Sequence, residues 1–229
     1  MKKDTVTAIV LAAGVGKRMG ADRPKQFMEL AGKPVLYYSL KAFEASNADR
    51  IILVTGQESI DYCRKEIVEK YGFQKVSDIV AGGRERFDSV YKGILVAEGS
   101  DQILIHDGAR PLISPDLIND CIRTVINEGP CVSAVRSKDT VKISDEEGFV
   151  ESTPDRSKVW IIQTPQCFPY DMVRNAYAAR EKAQDESVTD DAMVVEKYAK
   201  ARIKLLEGDY SNIKITTPED LQIAMRLLA

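Results

Sequence analysis

The feature that most constrains this chain is its alternation between two hydrophobic periods. Short β-branched runs recur at residues 6–13, 50–55, 75–81, 102–106 and 131–135, each the length of one buried strand. Helical stretches lie between them. Over residues 85–97 the apolar positions Phe87, Val90, Tyr91, Ile94 and Leu95 share one face of an α-helix. Ser114-Pro115-Asp116 opens another helix with an N-cap, a proline in the first turn and an early acid. Thr217-Pro218-Glu219-Asp220 does the same for a last helix, whose Leu221, Ala224, Met225 and Leu228 form a stripe. Alternating strands and helices imply right-handed βαβ units. The expected fold is therefore α/β: a Rossmann-like, mostly parallel sheet flanked by helices.

The alternation breaks at residues 140–159. Residues 140–144 and 149–153 flank the polar turn Asp145-Glu146-Glu147-Gly148 and read as a hairpin. A hairpin leaving an α/β sheet exposes edges that need cover, and a second subunit is the simplest cover. The sequence thus predicts a single domain over residues 1–229, with residues about 138–160 as a protruding β-hairpin dimerisation arm. The length of 229 residues suits one large domain.

Composition removes several function classes. Lys plus Arg number 32 and Asp plus Glu 35, a net charge of −3, which argues against a nucleic-acid coat or an anionic-membrane binder. No apolar run reaches the roughly 18–20 residues of a membrane span. Met1-Lys2-Lys3-Asp4 leads directly into the first strand, without the apolar core of a signal peptide. Cys63, Cys121, Cys131 and Cys167 form no C-x-x-C pair, and the chain has one histidine, so a Cys/His zinc site is not expected. Buried reduced thiols in a cytoplasmic protein are.

In open α/β sheets, ligands bind beyond the carboxyl ends of the strands. Those ends carry Ala12-Ala13-Gly14-Val15-Gly16-Lys17-Arg18-Met19-Gly20, then Gly82-Gly83-Arg84-Glu85-Arg86, then His106-Asp107-Gly108-Ala109-Arg110-Pro111. The first is a glycine-rich turn with nearby cations, suited to an anion. It is not a P-loop, because Gly16-Lys17 is followed by Arg18 and position 11 is leucine. Nor is it the dinucleotide fingerprint: Met19 occupies the third glycine position, and the second run ends at Thr55-Gly56-Gln57 without an acid. A nicotinamide-dependent oxidoreductase is disfavoured on both counts. Asp107 is a candidate Mg²⁺ ligand beside a phosphate site, or half of a loop ion pair with Arg110. His106 reads as a packed strand-end residue. With no G-x-S-x-G elbow, a Ser-His-Asp hydrolase is not expected.

Taken in order, these motifs carry a resemblance. Ala12-Ala13-Gly14-x-Gly16-x-Arg18-Met19-Gly20 with Pro24-Lys25-Gln26 resembles the signature of sugar-nucleotide pyrophosphorylase-like nucleotidyltransferases. Gly82-Gly83-x-x-Arg86-x-x-Ser89, His106-Asp107-x-Ala109-Arg110-Pro111, Asp139-Thr140-Val141-Lys142, Asp155-Arg156-x-x-x-Trp160, Gln163-Thr164-Pro165-Gln166, Thr189-Asp190 and Asn212-Ile213-Lys214 make the chain similar, within that group, to the 2-C-methyl-D-erythritol 4-phosphate cytidylyltransferase family.

The resemblance implies an Mg²⁺-dependent enzyme that joins CMP from CTP to the phosphate of a phosphorylated polyol and releases pyrophosphate. It implies Arg18, Lys25, Arg156 and Lys214 as catalytic residues. Nucleotide binding falls to Ala12, Ala13, Gly14, Gly16, Gly82, Ser89, Asp107 and Gly108, with Asp107 also bearing on the metal. Asp107, Arg110, Thr140, Arg156, Thr164, Thr189 and Lys214 would hold the acceptor, with Thr140 and Arg156 reaching over from the other subunit's arm. One departure is Gly108, where alanine is common in the family. The rival on the same fold is ribitol-5-phosphate cytidylyltransferase, whose relatives tend to carry Ala-Gly-Gly in the first loop and to lack Asp155-Arg156-x-x-x-Trp160. A non-catalytic nucleotide-sensing module would keep the glycine-rich turn but has no need of Arg156, Thr189 and Lys214.

Overall fold

A computed structural model describes residues 3–14 and 24–228. In chain order its strands are β1 (Val6–Ala12), β2 (Glu29–Leu30), β3 (Lys33–Pro34), β4 (Arg50–Thr55), β5 (Val76–Ala81), β6 (Gln102–Asp107), β7 (Cys131–Arg136), β8 (Ile143–Ser144), β9 (Val150–Ser152), β10 (Trp160–Pro169) and β11 (Lys204–Glu207). The helices are α1 (Val35–Ala45), α2 (Ile60–Tyr62, continued in π geometry over Cys63–Glu69), α3 (Arg86–Val96), α4 (Pro115–Glu128), α5 (Tyr170–Ala183), α6 (Asp191–Ala199) and α7 (Pro218–Leu228).

Seven strands form one sheet in the order β11-β7-β10-β6-β1-β4-β5. All its pairings are parallel except those of β10, which runs antiparallel to both β6 and β7. The five strands expected from the sequence are all present, with ends displaced by no more than one residue. Their β-branched composition suits burial on both faces. Along β1, Ala8, Val10 and Ala12 pack towards α1 and α4, whereas Ile9 faces α3 and α5. This three-layer arrangement is the Rossmann-like fold the alternation implies. β4 lies on one side of β1 and β6 on the other, so the chain reverses its direction of strand addition between β1 and β6. A crevice opens at the carboxyl ends of strands at such a switch point.

The structure corrects four local expectations. On α3 the buried line runs through Val90, Gly93 and Ile94, while Leu95 is 49% exposed. A Cβ on Gly93 would lie 2.6 Å from Ile9 Cγ2. The helix therefore approaches β1 along Gly93, which turns Leu95 outward. On α7 only Ala224 is buried, and Met225 and Leu228 face outward. The hairpin forms with shorter strands than expected, β8 and β9, around a turn in which Asp145 accepts hydrogen bonds from the Glu147 and Phe149 amides. Finally β10 has no counterpart among the expected strands. Its register shifts between Ile162 and Gln166, which breaks the alternation that marks a strand.

Ser114 caps α4 as expected, accepting from the Leu117 amide at 3.1 Å. At α7 the cap differs: Asp220 reaches back to accept from the Thr216 and Thr217 amides at 2.7 and 2.8 Å. The four cysteines are free and buried. Among the described residues no helix is long and apolar enough to cross a membrane.

Candidate active site

A cavity of about 390 Å³ opens at the carboxyl ends of β1 and β6. Its lining includes Ala12, Ala13 and Gly14 from the end of β1, Ser89 from α3, and Asp107 from the end of β6. Lys25, Arg84, Arg86 and Lys214 bring four cations to the wall, against the carboxylates of Glu85 and Asp107. Such an excess of positive charge in a partly enclosed space is built for an anion.

Asp107 is the hub. It is 8% exposed, and its carboxylate faces Arg86 Nε at 3.2 Å and Lys214 Nζ at 2.7 Å. Burial pushes its pKa up, but Arg86 and Lys214 outweigh that and hold it well below the ordinary carboxylate range. The loop ion pair with Arg110, the alternative reading of Asp107, is not formed. Arg110 instead donates to the Asn212 carbonyl at 2.6 Å, and burial lowers its pKa. Asn212 also donates to the Thr164 carbonyl at 3.0 Å, which fixes the segment that carries Lys214.

The register shift of β10 places Thr164 against the end of β6. Its hydroxyl accepts from the Asp107 amide at 3.1 Å and meets His106 Nδ1 at 3.0 Å. His106 is fully enclosed beside Phe43, and burial drives its pKa down to about 3, so the ring is neutral. It is the packed strand-end residue the sequence suggests.

Gly82 and Gly108 support the wall from behind, and Ser89 both lines the cavity and braces it. Ser89 donates to the Glu85 carbonyl at 3.1 Å and accepts from the Gly83 amide at 3.0 Å, which leaves one lone pair. Gly82 sits so close to Ala13 that an added Cβ would lie 2.5 Å from the Ala13 Cβ. Gly108 is buried beneath the site, donating to the Leu11 carbonyl at 2.8 Å, and a Cβ there would meet that same oxygen at 2.9 Å. Glycine at this position therefore lets the β6 end lie tightly on β1.

Lys214 also lines a second cleft of about 410 Å³, together with Arg110, Arg136 and Lys138. Thr189 borders a smaller cavity on the far side of Arg86. Thr140 and Arg156 lie exposed on the hairpin and its following turn and line neither main cavity, although Thr140 follows Asp139 of the second cleft and Arg156 donates to the Lys138 carbonyl at 3.4 Å. Gly16 and Arg18 lie outside the described residues.

The donor set tests the fit of a metal. Among the described residues no group of three or more His, Cys, Asp or Glu side chains is placed to hold an ion. Asp107 is the carboxylate at the cavity floor, and both of its oxygens face cations. Mg²⁺ takes one or two carboxylates together with phosphate oxygens. The residues present fit an ion that arrives on a triphosphate, not one caged by protein.

A sequence profile of the 2-C-methyl-D-erythritol 4-phosphate cytidylyltransferase family matches residues 6–229. The chain belongs to this cytidylyltransferase family. Proteins of that name from Lachnoclostridium phytofermentans and Lachnospira eligens are each 52% identical to it, over 98% and 95% of this chain and 97% and 96% of theirs. A crystal structure of 4-diphosphocytidyl-2C-methyl-D-erythritol synthase from Anaerococcus prevotii is similar with a TM-score of 0.86 at 35% identity, covering 98% of this chain and 96% of that one. The Thermus thermophilus cytidylyltransferase of the same name as the family gives 0.77 at 26%.

In this cytidylyltransferase family member, three residues make links that a reading by strand ends does not assign. Gln26 is 3% exposed and donates to the carbonyls of Ala12 and Gly14 at 2.5 and 3.0 Å, holding the end of β1. Arg86 pairs with both Asp107 and Asp191. Gln166 donates to Asp190 at 3.0 Å and accepts from the Ala192 amide at 2.8 Å, which joins β10 to α6. Gln26, Arg86 and Gln166 all stand inside the quoted motifs, and Arg86 also lies in the strand-end segment 82–86, but nothing local in the sequence names their partners.

Proposed function

We propose that this protein transfers the CMP group of CTP to 2-C-methyl-D-erythritol 4-phosphate, giving 4-diphosphocytidyl-2-C-methyl-D-erythritol and pyrophosphate, a step of non-mevalonate isoprenoid precursor synthesis in the cytoplasm. The observation that carries this reading is the ring of Lys25, Arg86 and Lys214 about a cavity at the switch point of the sheet, in a chain matched almost throughout by the family.

The acceptor phosphate is itself the nucleophile. One of its oxygens forms a bond to the CTP α-phosphorus, the bond from that phosphorus to the oxygen bridging to the β-phosphorus breaks, and pyrophosphate leaves with the electron pair. That oxygen is already anionic at neutral pH, so no side chain has to remove a proton. The buried neutral His106 is consistent with this. What the site must supply is alignment and neutralisation of charge. Lys25, together with Arg18, would hold the triphosphate and the charge that develops on it. Lys214 borders both the nucleotide cavity and the second cleft, so it would sit between the two phosphates as they approach. Ala12, Ala13, Gly14, Gly16, Gly82, Ser89 and Gly108 would shape the cytosine and ribose side of the pocket. Mg²⁺, when bound, would screen the triphosphate, with Asp107 as its protein ligand.

Arg110, Thr164 and Thr189 would hold the acceptor from this subunit, with Thr140 and Arg156 supplied by the partner's arm. The homodimer reading is supported by the hairpin, which projects Ile143, Phe149 and Val150 into solvent. The chain is then one domain over residues 1–229 with an arm at about 138–160. Ribitol-5-phosphate cytidyl transfer is not favoured by the family match.

The test is pyrophosphate release with CTP and Mg²⁺ and, in parallel, methylerythritol phosphate, ribitol 5-phosphate or no acceptor. Release with methylerythritol phosphate alone supports the reading. Release with ribitol phosphate alone would move the enzyme to another acceptor, and CTP binding without release in any arm would leave a nucleotide sensor.

A further inference from the structure

Behind the cavity wall stands a carboxylate that the transfer chemistry does not use. Asp191, in the first turn of α6, is fully enclosed. A charge so placed is costly unless it is paired and hydrogen-bonded. Both terminal nitrogens of Arg86 donate to Asp191, at 2.9 and 2.8 Å, and the buried Tyr177 hydroxyl donates to Oδ1 at 2.5 Å. The guanidinium is a rigid planar fork. Once its two ends are fixed on Asp191, the direction of Nε is fixed as well, and Nε points at Asp107 Oδ1 at 3.2 Å. Lys214 holds the other oxygen.

We propose that Asp191 is a positioning residue for nucleotidyl transfer. By clamping Arg86 it sets where the Asp107 carboxylate sits at the floor of the cavity, and it ties the Thr189-bearing end of α6 to the nucleotide-side end of α3. The proposal deepens the cytidylyltransferase reading and rests on it. A purely structural tie does not require this arrangement, because buried ion pairs can be exchanged for apolar pairs with little loss of stability. The same layer already has one: Arg180 links α5 to Asp88 of α3 at 3.2 Å. Of these two ion pairs, only that of Arg86 and Asp191 runs on into the site.

The test compares the wild type with Asp191→Asn, Arg86→Lys, their double variant and Tyr177→Phe, measuring Tm and steady-state kinetics with CTP, Mg²⁺ and methylerythritol phosphate. Asp191→Asn keeps the shape and removes the charge. Its kcat should fall by about 10- to 100-fold, the scale of a small misplacement of reacting groups, while KM for CTP moves much less. The double variant should be little slower than the slower single one, because both changes break the same linkage. Tyr177→Phe, which removes only one hydrogen bond, should lower kcat by a few-fold, and it decides the matter if Asp191→Asn does not fold. Arg50→Met provides the structural comparison: Arg50 bonds Thr7 and Ser100 at the opposite end of the sheet, so its loss should lower Tm and leave kcat unchanged. If Asp191→Asn, or Tyr177→Phe in its place, behaves like Arg50→Met, the positioning role is wrong although the enzyme reading stands. A folded wild type with no activity would overturn the enzyme reading first and the positioning role with it.

Discussion

At the residue scale the site is organised by where each charge may reside. Asp107 keeps its charge because Arg86 and Lys214 surround it, whereas His106, the next residue back, loses its charge because burial outweighs the pull of Asp107. The second effect makes a prediction about stability. The His106 pKa is about 3 in the folded protein against an ordinary 6.5. Between those values the unfolded chain binds a proton that the folded chain does not. Stability therefore falls as pH drops through that window, by up to about 1.4 kcal/mol per pH unit. His106→Gln, which cannot titrate, should show a shallower loss than wild type between pH 6.5 and 5 in denaturant unfolding. Parallel curves for the two proteins would refute the buried neutral ring. Lys25, Asp107 and Lys214 were legible in the sequence because each sits in a short local motif. The Arg86–Asp191 pair was not legible, since its members stand 105 positions apart and only the fold, in which α3 and α6 both pack on α5, joins them.

At the scale of elements, the sequence is readable where one physical rule acts alone. The parallel strands β1, β4, β6 and β7 are short, largely apolar runs buried on both faces, β5 is the partly exposed edge strand beside them, and the limits of all five lie within a residue of those expected. β10 escaped because two demands meet in it. It joins β6 to β7 as an interior antiparallel strand, and its irregularity delivers Thr164 to the Asp107 amide. The stripe on α3 was misplaced for a related reason: a glycine, which adds nothing to an apolar count, marks the line of closest contact. Gly93→Ala tests that contact. Its Cβ would press on Ile9 Cγ2 at 2.6 Å and approach Val54 Cγ2 at 3.2 Å. The crowding should cost about 1–3 kcal/mol, more than the roughly 1 kcal/mol gained in helix propensity. A lower midpoint in denaturant with an unchanged slope is expected. A more stable variant would mean that α3 does not meet β1 along this residue.

At the scale of the whole molecule, the hairpin and its exposed apolar residues are the part that the globular body does not explain. Phe149 is 69% exposed and Val150 60%, on an arm whose strands β8 and β9 pair with each other. If a second copy covers them, the Phe149→Ser/Val150→Ser double variant should sediment as a monomer where the wild type is a dimer. Its turnover should fall with the loss of the partner's Thr140 and Arg156, while Tm of the body changes little. A wild-type monomer with full activity would remove both the dimer and the shared site.

The central claim is that an oxygen of the acceptor's own phosphate forms the new bond to the CTP α-phosphorus. The most direct measurement uses methylerythritol phosphate labelled with ¹⁸O in its non-ester phosphate oxygens, and follows the product by ³¹P NMR. The account predicts two coupled phosphorus signals, both shifted by a labelled bridging oxygen, together with unlabelled pyrophosphate. An unlabelled bridge, or no diphosphate diester at all, would contradict it.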